Sequence, residues 1–352
     1  MKAGDIAGPR QSQRRRWLWA AAAAVVGIVL LLLAGNVLLL FFTGILLAAF
    51  LTGLSSWLHR RTGIPYGWSL CIVTVVLLGL CVGTGFLLAP EMSSQFAKLT
   101  SEIPKAWTHF KSQLGETNWG KQVLQLIPDL PQAFSKISSG WSAASGFLSS
   151  LFGFFANVIV VFFIGIYLAA EPQRYMEGAV CLLPKEKRPR AREVFQTLGA
   201  TLQRWLFGRL LLMIANSIIT MIGLWWMGVP LPVTLGVLSG ILNFIPNIGP
   251  IVAAIPAVLL AFAHSPWLAL YVIIFYFVYQ MLDGYVFTPL VEKQTVLVPP
   301  ALIIMSQVLL GVLAGAMGVV LADPILAVVL VLIKMLYVED VLHEQAELPG
   351  QN

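Results

Sequence analysis

The stretch Gly240-Ile-Leu-Asn-Phe-Ile-Pro-Asn-Ile-Gly-Pro250 decides how the rest of this chain is interpreted. It lies inside a run of apolar residues long enough to cross a membrane, yet it contains two asparagines, two prolines and two glycines. A helix exposed to hydrocarbon avoids this mixture, because a broken backbone at membrane depth must find new hydrogen-bond partners. Such breaks are tolerated where protein or water supplies those partners, which often indicates a substrate or ion pathway. The stretch therefore favours a transport protein.

The composition places this stretch in a membrane protein. Of the 352 residues, 58% are hydrophobic and 11% are charged, whereas about a quarter of the residues in a soluble domain are charged. Several runs approach or exceed the roughly 20 apolar residues that span a bilayer. The formal net charge of +6 is spread over predicted loops, without a nucleic-acid-binding motif around it. We therefore predict an all-α polytopic integral membrane protein that lies in a lipid bilayer and binds no nucleic acid.

Changes in composition divide the chain into six parts. In chain order they are the N-terminal tail with the first three spans, an external amphipathic region, a fourth span, a basic cytoplasmic loop, the C-terminal membrane core and a polar tail: 1–90, 91–146, 147–170, 171–205, 206–342 and 343–352. The external region is expected to lie on the membrane or to pack on the spans. We count about eight transmembrane helices, with one or two broken or re-entrant elements in the C-terminal half.

Three positions are predicted to interrupt helices. Gly35-Asn36 is a turn signal between the first two spans, and Ala89-Pro90 is expected to end the third span. A break at Ala322-Asp323-Pro324, or a tilt, would absorb the excess length of residues 301–336. Three Gly-x-x-x-Gly spacings permit close helix packing: Gly79 with Gly83, Gly236 with Gly240, and Gly311 with Gly315.

Sequence motifs for catalysis are missing from this chain. It has no Walker A pattern, no His-Glu-x-x-His and no Gly-x-Ser-x-Gly, and its four histidines are scattered. Its three cysteines have neither a disulfide framework nor zinc-ligand spacing. We therefore expect no enzymatic activity, no catalytic residue, no cofactor and no metal site.

The broken stretch supplies the candidates for a solute path. Pro246 removes a backbone donor and disfavours a straight helix. Asn243 and Asn247 would share a face of a continuous helix, or would flank a break at Pro246. Their amides would then either bind the freed carbonyls or face a solute. On the second interpretation the substrate path comprises Asn243, Pro246, Asn247, Gly249, Pro250 and Gln280.

Two aspartates are candidates for proton or cation coupling. Asp283 lies near the end of the seventh predicted span, where it is either an intramembrane functional carboxylate or a hydrated residue at the interface. Asp323 lies more centrally in its apolar run and would take up a proton or cation. Alternatively, Asp323 caps a helix that begins at Pro324. We favour the cap, and the two roles can coexist.

The order of these features resembles the AI-2E family of transporters, the autoinducer-2 exporter family. The resemblance is carried by the following segments: Asn243-Phe-Ile-Pro-Asn-Ile-Gly-Pro250, Asp283 before Pro289, Pro299-Pro300, the run from Gly311 to Pro324, and Tyr337-Val-Glu-Asp-Val-Leu342. It implies a multi-pass transporter of the bacterial inner membrane that forms homo-oligomers, with a pentamer as one option. It also implies a small-molecule or ion substrate, because members have been linked to autoinducer-2 export and to sodium/proton antiport.

Three functions are open at this stage. The leading hypothesis is export of a small polar solute, such as autoinducer-2, by a secondary or facilitated mechanism. Asn243 and Asn247 would line its path, and Pro246 would hold the break. The second hypothesis is Na⁺(Li⁺)/H⁺ antiport, with Asp283 or Asp323 as the titrating carboxylate. The third is a non-transporting membrane scaffold that binds partners through its external helices and cytoplasmic loop.

Overall fold

The computed structural model describes residues 35–115, 144–292 and 299–343, and within these ranges the chain forms helices and no strand. The helices are α1 Gly35–Thr62, α2 Tyr66–Gly115, α3 Ala144–Ala170, α4 Pro172–Cys181, α5 Arg188–Trp226, α6 Pro232–Leu242, α7 Ile248–His264, α8 Pro266–Leu282, α9 Thr288–Glu292 and α10 Pro300–Ile333. A π-helical turn follows α8 and another follows α10: Asp283–Phe287 and Lys334–Glu339. The predicted all-α architecture is confirmed.

Several helices can cross a bilayer by length and composition. Four described segments qualify: Gly35–Thr62, Lys185–Trp226, Pro266–Val291 and Pro300–Glu339. A fifth is formed by Phe155–Ala170 with Pro172–Cys181 if this pair, bent by 86°, counts as one span. Helices α6 and α7 are apolar but shorter. The first predicted span precedes Gly35 and lies outside the described residues, as does one side of the turn predicted at Gly35-Asn36, so the count of eight stays a prediction.

The helices pack as two groups that meet where α5 contacts α1 and where α2 contacts α7. In the first group, α1 packs along α2 and α3. In the second, α5 packs along α6, α6 contacts α7, and α7 packs along α8. Helix α10 contacts both α1 and α5 and so joins the groups. Large apolar side chains cover the outside, among them Trp226, 85% exposed, and Val312, 82% exposed, as a surface that faces lipid requires.

Helix α2 continues through Ala89-Pro90, where the sequence predicted the third span to end. It reaches Gly115, in the region predicted to be external. Trp107 in this extension is 3% exposed and packs in the core that α5, α6, α7 and α8 form. A proline removes one helical hydrogen bond, and packing of the following turns outweighs that loss. This extension therefore contacts the spans through Trp107. Residues 116–143 lie outside the described chain, and the external position of 91–146 stays a prediction.

Helix α10 turns sharply at Gly315, where φ is 64° and ψ is −147°. A β-carbon placed on Gly318 would lie 2.0 Å from the carbonyl oxygen of Leu310, although a straight helix would separate these residues by about 12 Å. Glycine adopts positive φ at little cost, so the chain folds back there. Pro300–Glu339, which is long and apolar enough to span a bilayer, is therefore not one straight helix. The break predicted at Ala322-Asp323-Pro324 is therefore wrong, because the helix continues through Pro324.

One of the glycine spacings brings α6 against α5. A β-carbon on Gly236 would lie 2.8 Å from the carbonyl oxygen of Ser217, and one on Gly240 would lie 2.8 Å from that of Met213. The predicted close packing is confirmed for this pair. Gly79, in contrast, has no described neighbour within 4 Å of its β-carbon position. The tight α5–α6 contact brings the polar residues of these two helices together.

Candidate functional site

The break predicted near Pro246 is observed between α6, which ends at Leu242, and α7, which begins at Ile248. Asn243 and Asn247 flank it instead of sharing one helical face, and Asn247 has a φ of 63°. The backbone crosses itself closely here, since a β-carbon on Gly249 would lie 1.8 Å from the carbonyl oxygen of Leu242. Gly249 is therefore required by the shape of the break.

Arg209 of α5 holds this break from one side. It is 3% exposed; its Nε donates to the carbonyl oxygen of Phe244 at 3.2 Å, and its Nη2 donates to that of Asn243. Carbonyls at a helix end lack an intrahelical partner, and inside a bilayer they must find one in the protein. The guanidinium of Arg209 is that partner for the carbonyls of Asn243 and Phe244.

Both candidate carboxylates lie near the same arginine. Asp283 and Asp323 are each 6% exposed, and the positive charge of Arg209 interacts electrostatically with both. The alternative of a hydrated interfacial Asp283 does not fit this burial. Asp283 also begins the π-helical turn Asp283–Phe287, an irregularity that is frequent at functional sites.

Asp323 does not cap a helix, so the interpretation that we favoured from the sequence is wrong. It lies in the interior of α10, whose N-cap residue is Pro299. Its Oδ2 accepts a hydrogen bond from Nε1 of Trp205 at 3.1 Å. The fold-back at Gly315 moves the helix start away from Asp323 and leaves the carboxylate facing α5.

Gln307 of α10 holds the break from the other side. Its Nε2 donates to the carbonyl oxygen of Pro246 at 3.0 Å, and its side chain is 1% exposed. We call the buried polar residues around the break the break cluster: Trp205, Arg209, Asn243, Asp283, Gln307 and Asp323. Five buried atoms at or beside it form no hydrogen bond with a described residue: Asn243 Nδ2, Tyr279 Oη, Gln280 Oε1, Asp283 Oδ1 and Gln307 Oε1. Such atoms are rare and costly, and a solute, ion or water can satisfy them.

A second polar group lies farther along α5 and α6, and we call it the α5–α6 layer: Asn216, Thr220 and Ser239. All three residues are fully buried. Nδ2 of Asn216 donates to the carbonyl oxygen of Ser239 at 2.9 Å and to its hydroxyl at 3.2 Å. Oγ1 of Thr220 donates to Oδ1 of Asn216 at 3.2 Å. This layer satisfies its hydrogen bonds internally.

The predicted path residues differ in their access to solvent. Asn243 is 1% exposed, whereas Asn247 is partly exposed. Gly249 and Pro250 are buried, and Pro246 and Gln280 are partly buried. The structure therefore has the break closed over the Asn243 amide, and the role of these residues in a path stays a prediction.

Sequence reasoning missed Arg209, Trp205, Gln307 and the α5–α6 layer, although a signal for most of them was present. The predicted fifth span began at Leu206 and so contained Arg209, a basic residue inside an apolar run. Trp205, Arg209, Asn216 and Thr220 recur at steps of four, seven and four residues, which places them on one face of a helix. Gln307 had no comparable signal, because only the fold-back of α10 brings it to the break.

The N-terminal end of α5 carries a separate set of ion pairs. Arg190 binds Glu193 at 2.7 Å and Glu339 at 2.6 Å, and it donates to the carbonyl oxygen of Met335 at 2.7 Å. It thereby ties the start of α5 to the end of the C-terminal π-helical turn. Arg192 binds Glu177 of α4 through both carboxylate oxygens.

An open cleft of about 690 Å³ lies where α1, α2 and the α3–α4 bend meet. Its lining is Thr52, Ser56, Tyr66, Ala170, Glu171, Pro172, Gln173 and Arg174, so it contains no member of the break cluster. Over residues 35–115, 144–292 and 299–343, no group of three or more His, Cys, Asp or Glu side chains is placed to hold a metal ion.

Comparisons with known proteins agree with a transport protein. The sequence profile of a family described as AI-2E family transporter matches residues 20–337, a range that includes the whole break cluster. The chain is 25% identical over 298 residues to "Putative transport protein YrrI" of Bacillus subtilis (strain 168), covering 82% of this chain and 83% of that protein. It is 27% identical over 278 residues to "Putative transport protein YueF" of the same organism, covering 76% of this chain and 75% of the relative.

Proposed function

The chain belongs to the AI-2E family of transporters, and we propose that it moves a small polar solute across the membrane past the break cluster. The observation that carries the proposal is the group of buried polar atoms without a described hydrogen-bond partner at a helix break inside an apolar bundle. Both named relatives are described as transport proteins. We further propose that the protein works in the bacterial inner membrane as a homo-oligomer.

The chemistry of the cluster favours a solute with both donors and acceptors. The amide of Asn243 offers N–H donors, and the carbonyl oxygens of Gln280 and Gln307 offer acceptors. A small hydroxyl- and carbonyl-bearing solute of the autoinducer-2 type would satisfy these groups. Export by a secondary or facilitated mechanism would then require the break to open in turn toward each side.

Antiport is the second candidate, and the charges of the cluster favour it. Two buried carboxylates, Asp283 and Asp323, share one nearby guanidinium, that of Arg209. If both are ionised, the cluster carries one excess negative charge, and a buried unbalanced charge is costly. One proton or one Na⁺ would neutralise it, so exchange of these two ions at the cluster would give Na⁺/H⁺ antiport.

Flux measurements in proteoliposomes test both candidates. Vesicles loaded with autoinducer-2 should release it faster when they contain the protein, and Asn243→Ala should slow this release. For antiport, a sodium gradient should drive proton movement that Asp283→Asn or Asp323→Asn abolishes. Asp340→Asn is the matched control, because Asp340 lies outside the cluster and pairs with Arg190.

Each outcome separates the functions. Solute release that is indifferent to both aspartate substitutions excludes coupling through these carboxylates. Sodium-driven proton movement without solute release replaces the leading proposal with antiport. Absence of both fluxes in folded protein that still binds membrane partners favours the scaffold and overturns transport.

A further inference from the structure

We propose that Arg209 is a positioning residue that gates the break. Its hydrogen bonds to the carbonyls of Asn243 and Phe244 hold the break closed, and the break opens when the guanidinium exchanges these carbonyls for the carboxylates of Asp283 and Asp323. The inference rests on the proposed transport function, because it states how the path at the same cluster opens.

The position of the guanidinium supports such an exchange. Arginine has five N–H donors in a planar fork, and here two of its nitrogens hold carbonyls of consecutive residues. The side chain is 3% exposed. Asp323 accepts a hydrogen bond from Trp205, which lies one turn before Arg209 on α5, and Oδ1 of Asp283 has no described hydrogen-bond partner. Movement from carbonyls to carboxylates would therefore keep the guanidinium hydrogen-bonded inside the protein throughout.

The two sides of the break are held by different kinds of hydrogen bond, and the Arg209 side has the stronger contacts. Gln307 of α10 holds Pro246 through a single amide N–H, whereas Arg209 of α5 holds two carbonyls through a charged group. Hydrogen bonds from charged donors are the stronger kind. Release of Arg209 would leave Asn243 and Phe244 without their partner and would uncover the Asn243 amide, the group that we propose to meet the solute.

The variant Arg209→Lys distinguishes the effect of the positive charge at position 209 from the effect of the guanidinium geometry. Arg209→Lys keeps the positive charge at the break but removes the fork that spans both carbonyls. The buried charges stay balanced, so the variant should fold. The closed break should nevertheless be weakened, because a compact ammonium does not reproduce the bidentate contact.

The test is the reactivity of a cysteine reporter at the break. Asn243→Cys, in a background without the three native cysteines, keeps the backbone carbonyl that Arg209 binds and places a thiol at a position that is 1% exposed. A water-soluble maleimide labels the purified protein in detergent, where both faces are accessible. Ser239→Cys reports on general loosening, because Ser239 is fully buried in the α5–α6 layer.

We expect Arg209→Lys to raise the labelling rate of the Asn243→Cys reporter about tenfold, as loss of one charged hydrogen bond implies. Labelling of the Ser239→Cys reporter should stay unchanged. Arg204→Lys, an exposed arginine five residues earlier on α5, should alter neither rate.

Three results would overturn the gate. The first is an unchanged labelling rate of the Asn243→Cys reporter in folded Arg209→Lys protein. The second is an equal increase at both reporters, which indicates general loosening. The third is failure of Arg209→Lys to fold, which makes Arg209 a structural residue only. Labelling needs no flux, so a protein that transports nothing but shows the reporter difference would refute the proposed function while the gate stands.

Discussion

The break cluster and the α5–α6 layer are both polar, both buried and both built on one face of α5, yet they differ in hydrogen bonding. Asn216, Thr220 and Ser239 of the layer bind one another. In the cluster, Asn243 Nδ2 and Asp283 Oδ1 have no described partner. Polar side chains inside a bilayer usually have one of two roles: they form hydrogen bonds between helices, or they contact a transported solute or ion. The layer shows the first role, and the cluster fits the second.

Among the substitutions that test this difference, Gly249→Ala should have the largest effect on stability and flux, because it alters the backbone of the break itself. In Gly249→Ala the new methyl group would lie 1.8 Å from the carbonyl oxygen of Leu242, so the backbone must move. We expect the free energy of unfolding, measured by denaturation in mixed micelles, to fall by about 3 kcal/mol. The flux per folded molecule should be lost.

Two other glycines calibrate this prediction. Gly240→Ala in the α5–α6 contact meets its nearest atom at 2.7 Å and should lower the free energy of unfolding by about 1–2 kcal/mol. Gly83→Ala meets no described atom within 4 Å and should have almost no effect. An equal loss of unfolding free energy in Gly249→Ala and Gly83→Ala would show that Gly249 does not pack tightly against the carbonyl of Leu242.

Removal of an amide from the α5–α6 layer should have the next largest effect, and it should be an effect on stability alone. Asn216→Ala removes the hydrogen bonds that this amide makes with the hydroxyls of Thr220 and Ser239 and with the carbonyl oxygen of Ser239. We expect a loss of about 1–2 kcal/mol in the free energy of unfolding. Flux per folded molecule should stay close to that of the unmodified protein, and a selective loss of flux would place the layer in the path as well.

The sequence predicted the membrane class and the break near Pro246, because these depend on local composition. It named Asp283 and Asp323 as candidates but left open whether Asp283 is buried or hydrated at the interface. Hydrophobic length and intramembrane proline are properties of single segments. The sequence did not predict the turn at Gly315, because Pro324 is a stronger local helix breaker than a glycine. The meeting of Arg209, Asp283 and Asp323 at one site depends on that turn and on contacts between distant helices, which no local pattern encodes.

Removal of the Asn243 side chain should have the smallest effect on stability and yet a large one on transport. In Asn243→Ala the backbone carbonyl that Arg209 binds is retained, and the amide lost has an Nδ2 without a described partner. Since no hydrogen bond of that nitrogen is broken, we expect the free energy of unfolding to change by less than about 0.5 kcal/mol. Flux should fall about tenfold, as loss of one hydrogen bond to a solute implies.

The pair Asn243→Ala and Asn216→Ala is therefore the sharpest test of the difference between the two regions. Both variants remove the same amide from a buried position around α5 and α6, so hydrophobicity and side-chain size change equally. If the cluster is held for transport, stability falls only in Asn216→Ala and flux falls only in Asn243→Ala. A loss of stability in both with flux retained would mean that the cluster fastens helices as the layer does. The buried polar atoms of the break cluster that have no described partner would then be hydrogen-bonded to permanently bound water. Groups along a solute path, in contrast, must release their partner when the solute moves on.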